Sequence, residues 1–307
     1  MNDPVIQLLI DLVGDGVARG ELSRGGRVIR WAEAGAGRPV VVLDAALGEP
    51  GTLAWAGVMP LVAPTDRVVA YDRAGIGLSD PTSPVTLDGQ VEDLTAVLEA
   101  CGDGPCVVAG HSWGGLLAQL VALRTPELVA GLVLVDPAEE RYLAAFPPEE
   151  LQERVAMGEA IIEQHAKGEL AETVRSIFGD YARRLSDDPA FEARILDVYV
   201  SCYAKQSQAR MVLEENLIVV KSLSRLREIR ETQRLPDIPV VVFSSTTGRP
   251  DWEREMWTGM HAELAASVRR GEHIVLADTS HAINQERPAD IAEAINRMVE
   301  KVRRGHH

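Results

Sequence analysis

The sequence predicts an α/β fold: a mostly parallel central sheet with helices on both faces and a helical cap inserted between two strands. Three observations carry that prediction. Short, nearly continuous Val/Leu runs alternate with stretches of helical periodicity, as expected for strands buried on both faces of a parallel sheet. A serine flanked by glycines follows one such run and leads straight into a helix. From about Ala138 to Pro236, strand signals vanish and helical spacing takes over.

In chain order, Val5 to Val13 is apolar but lacks a basic leader and is flanked or broken by Asp3, Asp11 and Asp15, so a short amphipathic helix is expected rather than a signal peptide. Strands are expected at Val28 to Ala32, Val40 to Leu43, Arg67 to Tyr71, Cys106 to Ala109, Leu132 to Val135, Val240 to Phe243 and His273 to Leu276. Leu87 to Ala100 places Val91, Leu94 and Leu98 on one helical face, and a second helix is expected over Trp113 to Thr125. Residues 1–137 and 237–307 therefore form the expected core, and 138–236 the helical cap, opened by Pro147-Pro148 and closed by Pro236 and Pro239. The arginines at 225, 227, 230 and 234, interleaved with Glu228 and Glu231, read as a solvated helix face. Gly305-His306-His307 fits an expression tag and is set aside.

Composition narrows the function classes. Of 307 residues, 46% are hydrophobic and 25% charged, within the range of an ordinary globular protein. A formal net charge of −15 disfavours nucleic acid and anionic membranes as partners, since both require a positive field. No apolar run approaches a membrane span. Three cysteines, Cys101, Cys106 and Cys202, lack metal-ligand spacing and point to free buried thiols in the cytoplasm. There is no H-E-x-x-H and no G-x-x-x-x-G-K-[ST], so no metal or nucleotide cofactor is expected.

The most informative segment is Gly110-His111-Ser112-Trp113-Gly114, a G-x-S-x-G between the strand starting at Cys106 and a helix. A serine on so sharp a turn needs small neighbours, and its hydroxyl then projects above the sheet. The segment resembles the nucleophile elbow of the α/β-hydrolases, and the resemblance extends over most of the chain. Asp72-Arg73-Ala74-Gly75-Ile76-Gly77-Leu78-Ser79 is similar to that family's D-x-x-G-x-G-x-S turn, for which a structural role is expected. Haloalkane dehalogenases and epoxide hydrolases of the family attack carbon with a carboxylate; a serine at 112 suits acyl transfer, ranking esters, lactones, thioesters and amides above halides and epoxides.

The resemblance implies that His281, on a loop beyond the last predicted strand, is the general base. His111 is expected to point away from the serine, and His165, His261 and His273 to be packing or surface residues. For the acid, Asp136 after the Leu132–Val135 run and Asp251 further on both keep the order Ser…Asp…His. The commoner family position holds Ser244-Ser245-Thr246-Thr247-Gly248 without a carboxylate; some branches of the family carry the acid directly after the earlier strand, so the resemblance implies Asp136, with Asp251 as the alternative, and Asp278 lies too close in sequence to His281.

For the oxyanion hole, the resemblance implies the backbone amides of Leu47 and Trp113. Where the family has His-Gly, this chain has Asp44-Ala45-Ala46-Leu47-Gly48, and alanine tolerates fewer backbone conformations than glycine. Losing such a donor costs about 2.7–4 kcal/mol, so a misplaced Leu47 amide predicts a slow enzyme. Trp55, Trp113, Trp252, Trp257, Met59 and Met256 are candidate walls of an apolar acyl pocket. The expected activity is acyl-bond hydrolysis of a small, apolar substrate through an acyl-enzyme on Ser112. A non-catalytic ligand binder, a perhydrolase, a C–C bond hydrolase and an aminopeptidase are the alternatives on the same scaffold.

Overall fold

In the computed structural model, residues 3–145 and 148–305 are described. Pro147, read above as opening the helical stretch, and His306-His307 lie outside them, as do Met1 and Asn2. Among the described residues one eight-stranded sheet runs in the order β1-β2-β4-β3-β5-β6-β7-β8. The strands are β1 (Ala18–Arg24), β2 (Arg27–Ala34), β3 (Val41–Asp44), β4 (Val68–Asp72), β5 (Cys106–His111), β6 (Val129–Val135), β7 (Val240–Ser245) and β8 (Gly271–Leu276). β2 pairs antiparallel with both β1 and β4, whereas β3 to β8 pair parallel throughout.

The helices follow as α1 (Pro4–Val13), α2 (Gly51–Ala54), α3 (Met59–Val62), α4 (Leu87–Cys101) and α5 (Trp113–Arg124). Between β6 and β7 come α6 (Glu140–Ala145), α7 (Pro148–Lys167), α8 (Leu170–Leu185), α9 (Pro189–Tyr203) and α10 (Gln206–Thr232). The chain ends with α11 (Asp251–Ala266), α12 (Ile283–Glu286) and α13 (Pro288–Gly305). No described helix is long and apolar enough to cross a membrane.

Side chains alternate across the sheet and feed two cores. Val41, Leu43, Val107, Ala109 and Val133 face one core, closed by α1 and by Ile291, Ile295 and Met298 of α13. Val40, Val42, Val108, Leu132 and Leu134 face the other, with Leu94 of α4 and Val121 of α5. This double burial explains why the strand runs are continuously apolar rather than alternating. β1 is the strand the sequence does not predict. Arg19, Glu21 and Ser23 give it a polar pattern, and it lies half-exposed at the sheet edge, where burial leaves no hydrophobic signature.

The strand order reverses between β3 and β5. β3 continues to β4 on one side, and β5 continues to β6 on the other, so the loops at their carboxyl ends diverge and leave a crevice. Leu47 follows β3 and Ser112 follows β5, which places both at that crevice.

Candidate active site

Ser112 is the single residue between β5 and α5, with φ 52° and ψ −114°. A non-glycine residue held at positive φ is strained and persists only where its surroundings fix it. Here its N–H donates to Val135 O at 3.0 Å, and its carbonyl accepts from Ala138 N at 2.9 Å. The glycine two residues on is demanded by close approach: a Cβ on Gly114 would sit 2.6 Å from Asp44 O and 2.7 Å from Ala45 O. The end of β3 is thus pressed against the start of α5.

The serine hydroxyl lies 2.9 Å from His281 Nε2, and His281 Nδ1 lies 2.6 Å from Asp136 Oδ2. Asp136 follows β6 at φ 45°, in the left-handed region that aspartate tolerates better than most side chains. It is fully buried and well provided with donors. Ser245 N (2.8 Å) and Trp257 Nε1 (2.7 Å) donate to Oδ1, and Ser245 Oγ (2.7 Å) donates to Oδ2. Burial alone would raise its pKa; the hydrogen bond from His281, with the electrostatic pull of His281 and Arg249, outweighs this and holds it below the usual carboxylate range. Asp136 thus stays ionised and fixes the proton of His281 on Nδ1, leaving Nε2 free to accept from Ser112.

Asp251 does not join this group. It starts α11, exposed, and pairs with Arg254 at 2.8 Å. Ser245 and Trp257 are the partners that sequence reasoning missed. The signal was present in the Ser244-Ser245-Thr246 run: a position without a carboxylate offers instead a hydroxyl donor to a carboxylate placed on the neighbouring strand.

His111 indeed turns away from the serine. Its Nε2–H donates to the carbonyl of His281 at 2.7 Å, and burial pushes its pKa down to about 3, so it is a neutral prop for the His281 loop. His261 is likewise buried and neutral, lowered to about 4 by burial, and donates from Nε2 to Pro137 O at 2.9 Å. The Ser244 hydroxyl links His261 Nδ1 (2.7 Å) to His273 Nε2 (2.8 Å). His165 sits at the surface, its Nε2 on Ala204 O at 2.8 Å.

Among the described residues, neither the Leu47 nor the Trp113 amide donates to a protein acceptor. Trp113 opens α5, where the helix dipole favours negative charge. The alanine at position 46 fits without difficulty, because the left-handed residue of the turn is Gly48, at φ 69°, and Ala46 is not at positive φ. Arg73 of the Asp72–Ser79 turn holds the segment: Nη1 bonds Asp44 Oδ1 (2.6 Å) and Ala45 O (2.8 Å), and Nη2 bonds Ala46 O (2.5 Å). Asp72 ties its own turn together, accepting from Thr52 N (2.9 Å) and Leu78 N (2.8 Å).

A cavity of about 580 Å³ opens over Ser112 and His281. Of the six apolar walls expected, Trp113 and Trp257 line it. Trp55 and Met59 are buried in the core on the α1 side, Trp252 is exposed, and Met256 packs against the other core. The lining is also more polar than expected, since Glu49, Glu139, Arg154, Arg249 and Glu253 contribute to it. Arg249 stacks over the Trp257 ring at 4.4 Å. Leu143, Arg154 and Val219 reach the cavity from the helices between β6 and β7. Of the arginine-rich stretch, Arg225 pairs with Asp88 near the surface, while Arg230 departs from the solvated reading and binds Glu140 at 3.1 Å. All three cysteines are free and buried, and burial raises the thiols to about 11 or 12, which leaves them unreactive.

The model of the Alpha/beta hydrolase family matches residues 27–294. Polyketide synthase ThaQ of Burkholderia thailandensis is 37% identical over 129 residues, which are 42% of this chain and 6% of that protein. Lipase LipV of Mycobacterium tuberculosis is 47% identical over 75 residues, 24% of this chain and 29% of LipV. The chain therefore matches less than a third of the length of either relative. Among solved structures, the Cif epoxide hydrolase from Acinetobacter nosocomialis superposes with a TM-score of 0.74 at 14% identity, covering 97% of both chains. At that identity the likeness concerns the fold.

Proposed function

The chain belongs to the alpha/beta hydrolase family, and from that premise we propose that it is a serine hydrolase cleaving an ester, lactone or related acyl bond of a small substrate. One observation carries the reading: the unbroken hydrogen-bonded line from Ser112 Oγ through His281 to Asp136, at 2.9 Å and 2.6 Å. His281 Nε2 takes the hydroxyl proton as Ser112 Oγ attacks the acyl carbon. The carbonyl oxygen becomes an oxyanion held by the amides of Leu47 and Trp113. Collapse expels the alcohol, which carries away the proton from His281 and leaves the acyl group on Ser112. Water then attacks the acyl-enzyme and gives its proton to the same ring, which returns it to Ser112 Oγ as the acyl–oxygen bond breaks and the acid is released. Every proton and bond is accounted for by serine, histidine and water, so this reaction needs no cofactor.

A serine at position 112 favours acyl transfer over the carboxylate attack that epoxides require. The mixed lining of the cavity supports a substrate with polar as well as apolar parts, rather than the apolar one expected from the sequence. The helices of residues 138–236 act as the cap of this site, a role supported by Leu143, Arg154 and Val219 in its lining. A cytoplasmic location rests on the three free thiols.

The test is covalent labelling. A fluorophosphonate probe is expected to modify Ser112 of the wild-type protein and to leave Ser112→Ala unmodified, while the wild type hydrolyses short p-nitrophenyl esters. Folded wild-type protein that neither labels nor hydrolyses any ester of a graded series is a binder, and the proposal fails.

A further inference from the structure

Residues 45–48 are tied down at three carbonyls and one amide. The carbonyls of Ala45 and Ala46 accept from Arg73. The Gly48 amide donates to Glu215 Oε2 at 2.6 Å, and its carbonyl accepts from Gln208 Nε2 (2.7 Å) and Tyr203 Oη (3.0 Å). The Leu47 amide, in the middle, has no protein acceptor among the described residues. Glu215 is the hub. It is fully buried on α10 and accepts four bonds: Arg73 Nε (2.7 Å) and Gln90 Nε2 (2.6 Å) on Oε1, Gly48 N (2.6 Å) and Arg73 Nη2 (3.1 Å) on Oε2. Gln90 in turn accepts from the Trp113 indole at 2.9 Å, so one buried network reaches the residues carrying both free amides.

Gln208, Val212 and Glu215 recur at helical spacing and present one face of α10 to this turn. The fit is close: a Cβ on Gly48 would lie 2.9 Å from Val212 Cγ2. Gln208 also accepts from Gly77 N at 2.8 Å and so joins the Leu47 turn to the Asp72–Ser79 turn. We infer that Glu215, contributed by the inserted helix α10, is a positioning residue that fixes the Leu47 amide as an oxyanion donor, through Gly48 directly and through Arg73. This deepens the serine-hydrolase reading and rests on it.

The charge is what the site needs. Four donors converge on one side chain, and only a carboxylate offers enough acceptor sites. Glu215→Gln keeps shape and volume but turns an NH₂ toward two of those donors, which must then move apart. A displacement on the order of 1 Å at a catalytic donor costs about 10²-fold in rate. Removing such a donor outright costs about 10²–10³-fold.

The experiment compares wild type and Glu215→Gln on one p-nitrophenyl ester, with binding of a phenylboronic acid, which forms a tetrahedral adduct on serine, measured alongside. Glu215→Gln is expected to lower kcat by about 10²-fold and weaken boronate binding by a similar factor, with KM within about two-fold of wild type. Unchanged kcat in folded Glu215→Gln overturns the inference, and so does a change confined to KM, which would make Glu215 a pocket-shaping residue. Should Glu215→Gln not fold, Tyr203→Phe and Gln208→Met each remove one donor from Gly48 O. Each is then expected to lower kcat by roughly 3- to 10-fold at constant KM, and wild-type kcat in both overturns the inference. A wild type that Ser112-directed probes do not label overturns both readings; a labelled, active wild type beside an unaffected Glu215→Gln overturns this one alone.

Discussion

On the acid–base side of the cavity, Ser112, Asp136, Ser245 and His281 stand at or just beyond the ends of β5, β6, β7 and β8, and Trp257 comes from α11, between β7 and β8. On the oxyanion side, the Leu47 turn follows β3 but is held by Arg73 and by Glu215, which lies 167 residues beyond Gly48. The first side is fixed by the sheet itself, because parallel register places four loop ends next to one another. The second depends on a buried ion cluster, Asp44, Arg73 and Glu215, that exists only after the inserted helices have docked. In the proposed mechanism, strand order thus builds the proton relay, while long-range charge pairing builds the anion site.

The largest effects test the relay. Ser112→Ala and His281→Ala are each expected to lower kcat by roughly 10⁶-fold, and the double variant by no more, because the two act as one unit. Additive losses in steady-state kinetics would mean that they do not cooperate. Asp136→Asn leaves the shape intact but frees the wrong tautomer, with an expected loss of about 10⁴-fold. Asp251→Asn, at the exposed start of α11, is expected to leave kcat at the wild-type value. A reversal of the two aspartate results would show that the acid reaches His281 by another route.

The oxyanion side is more exposed to a loss of stability. Arg73→Met leaves Asp44 and Glu215, both fully buried, without their shared cation. Breaking a buried pair in this way costs about 3–5 kcal/mol. Urea unfolding monitored by tryptophan fluorescence is expected to give a loss of that order. A loss below about 1 kcal/mol would mean that the cluster is not what holds α10 to the Leu47 turn, and the contrast between the two sides would weaken.

The same contrast explains what was legible in the sequence. Gly110, Ser112 and Gly114 announce their turn because the constraint lies within five residues, and Asp136 stands directly after a buried strand, where the resemblance implies an acid in some branches of the family. Ser245 and Trp257 act on Asp136 across 109 and 121 residues, and no short pattern encodes such a pairing. Glu215 was hidden more completely. It sits in a charged helical stretch where a carboxylate reads as surface, and only docking against Arg73 makes it interior. Ala46 reads as a defect in the sequence, yet the residue of this turn at positive φ is Gly48.

Asp136 and Glu139 bring the comparison down to three residues of chain. Both carboxylates are fully buried, yet they titrate in opposite directions. Asp136 accepts hydrogen bonds from Ser245, Trp257 and His281; among the described residues Glu139 accepts none and has only ion pairs at 3.6 Å with Arg141 and Arg230. Burial therefore dominates at Glu139 and pushes its pKa up to about 7, against the pull of the two arginines. A carboxyl group with a raised native pKa binds its proton more tightly when folded, so its contribution to stability is complete below about pH 4.3 and is lost as the pH rises through about 7. Glu139→Gln removes that dependence. Urea unfolding at pH 5 and pH 8 is expected to find the variant close to wild type at pH 5 and more stable by on the order of 2 kcal/mol at pH 8. A difference that stays constant across this range would mean that the arginines match the Glu139 charge after all, and that direct donors are not what separates the two carboxylates.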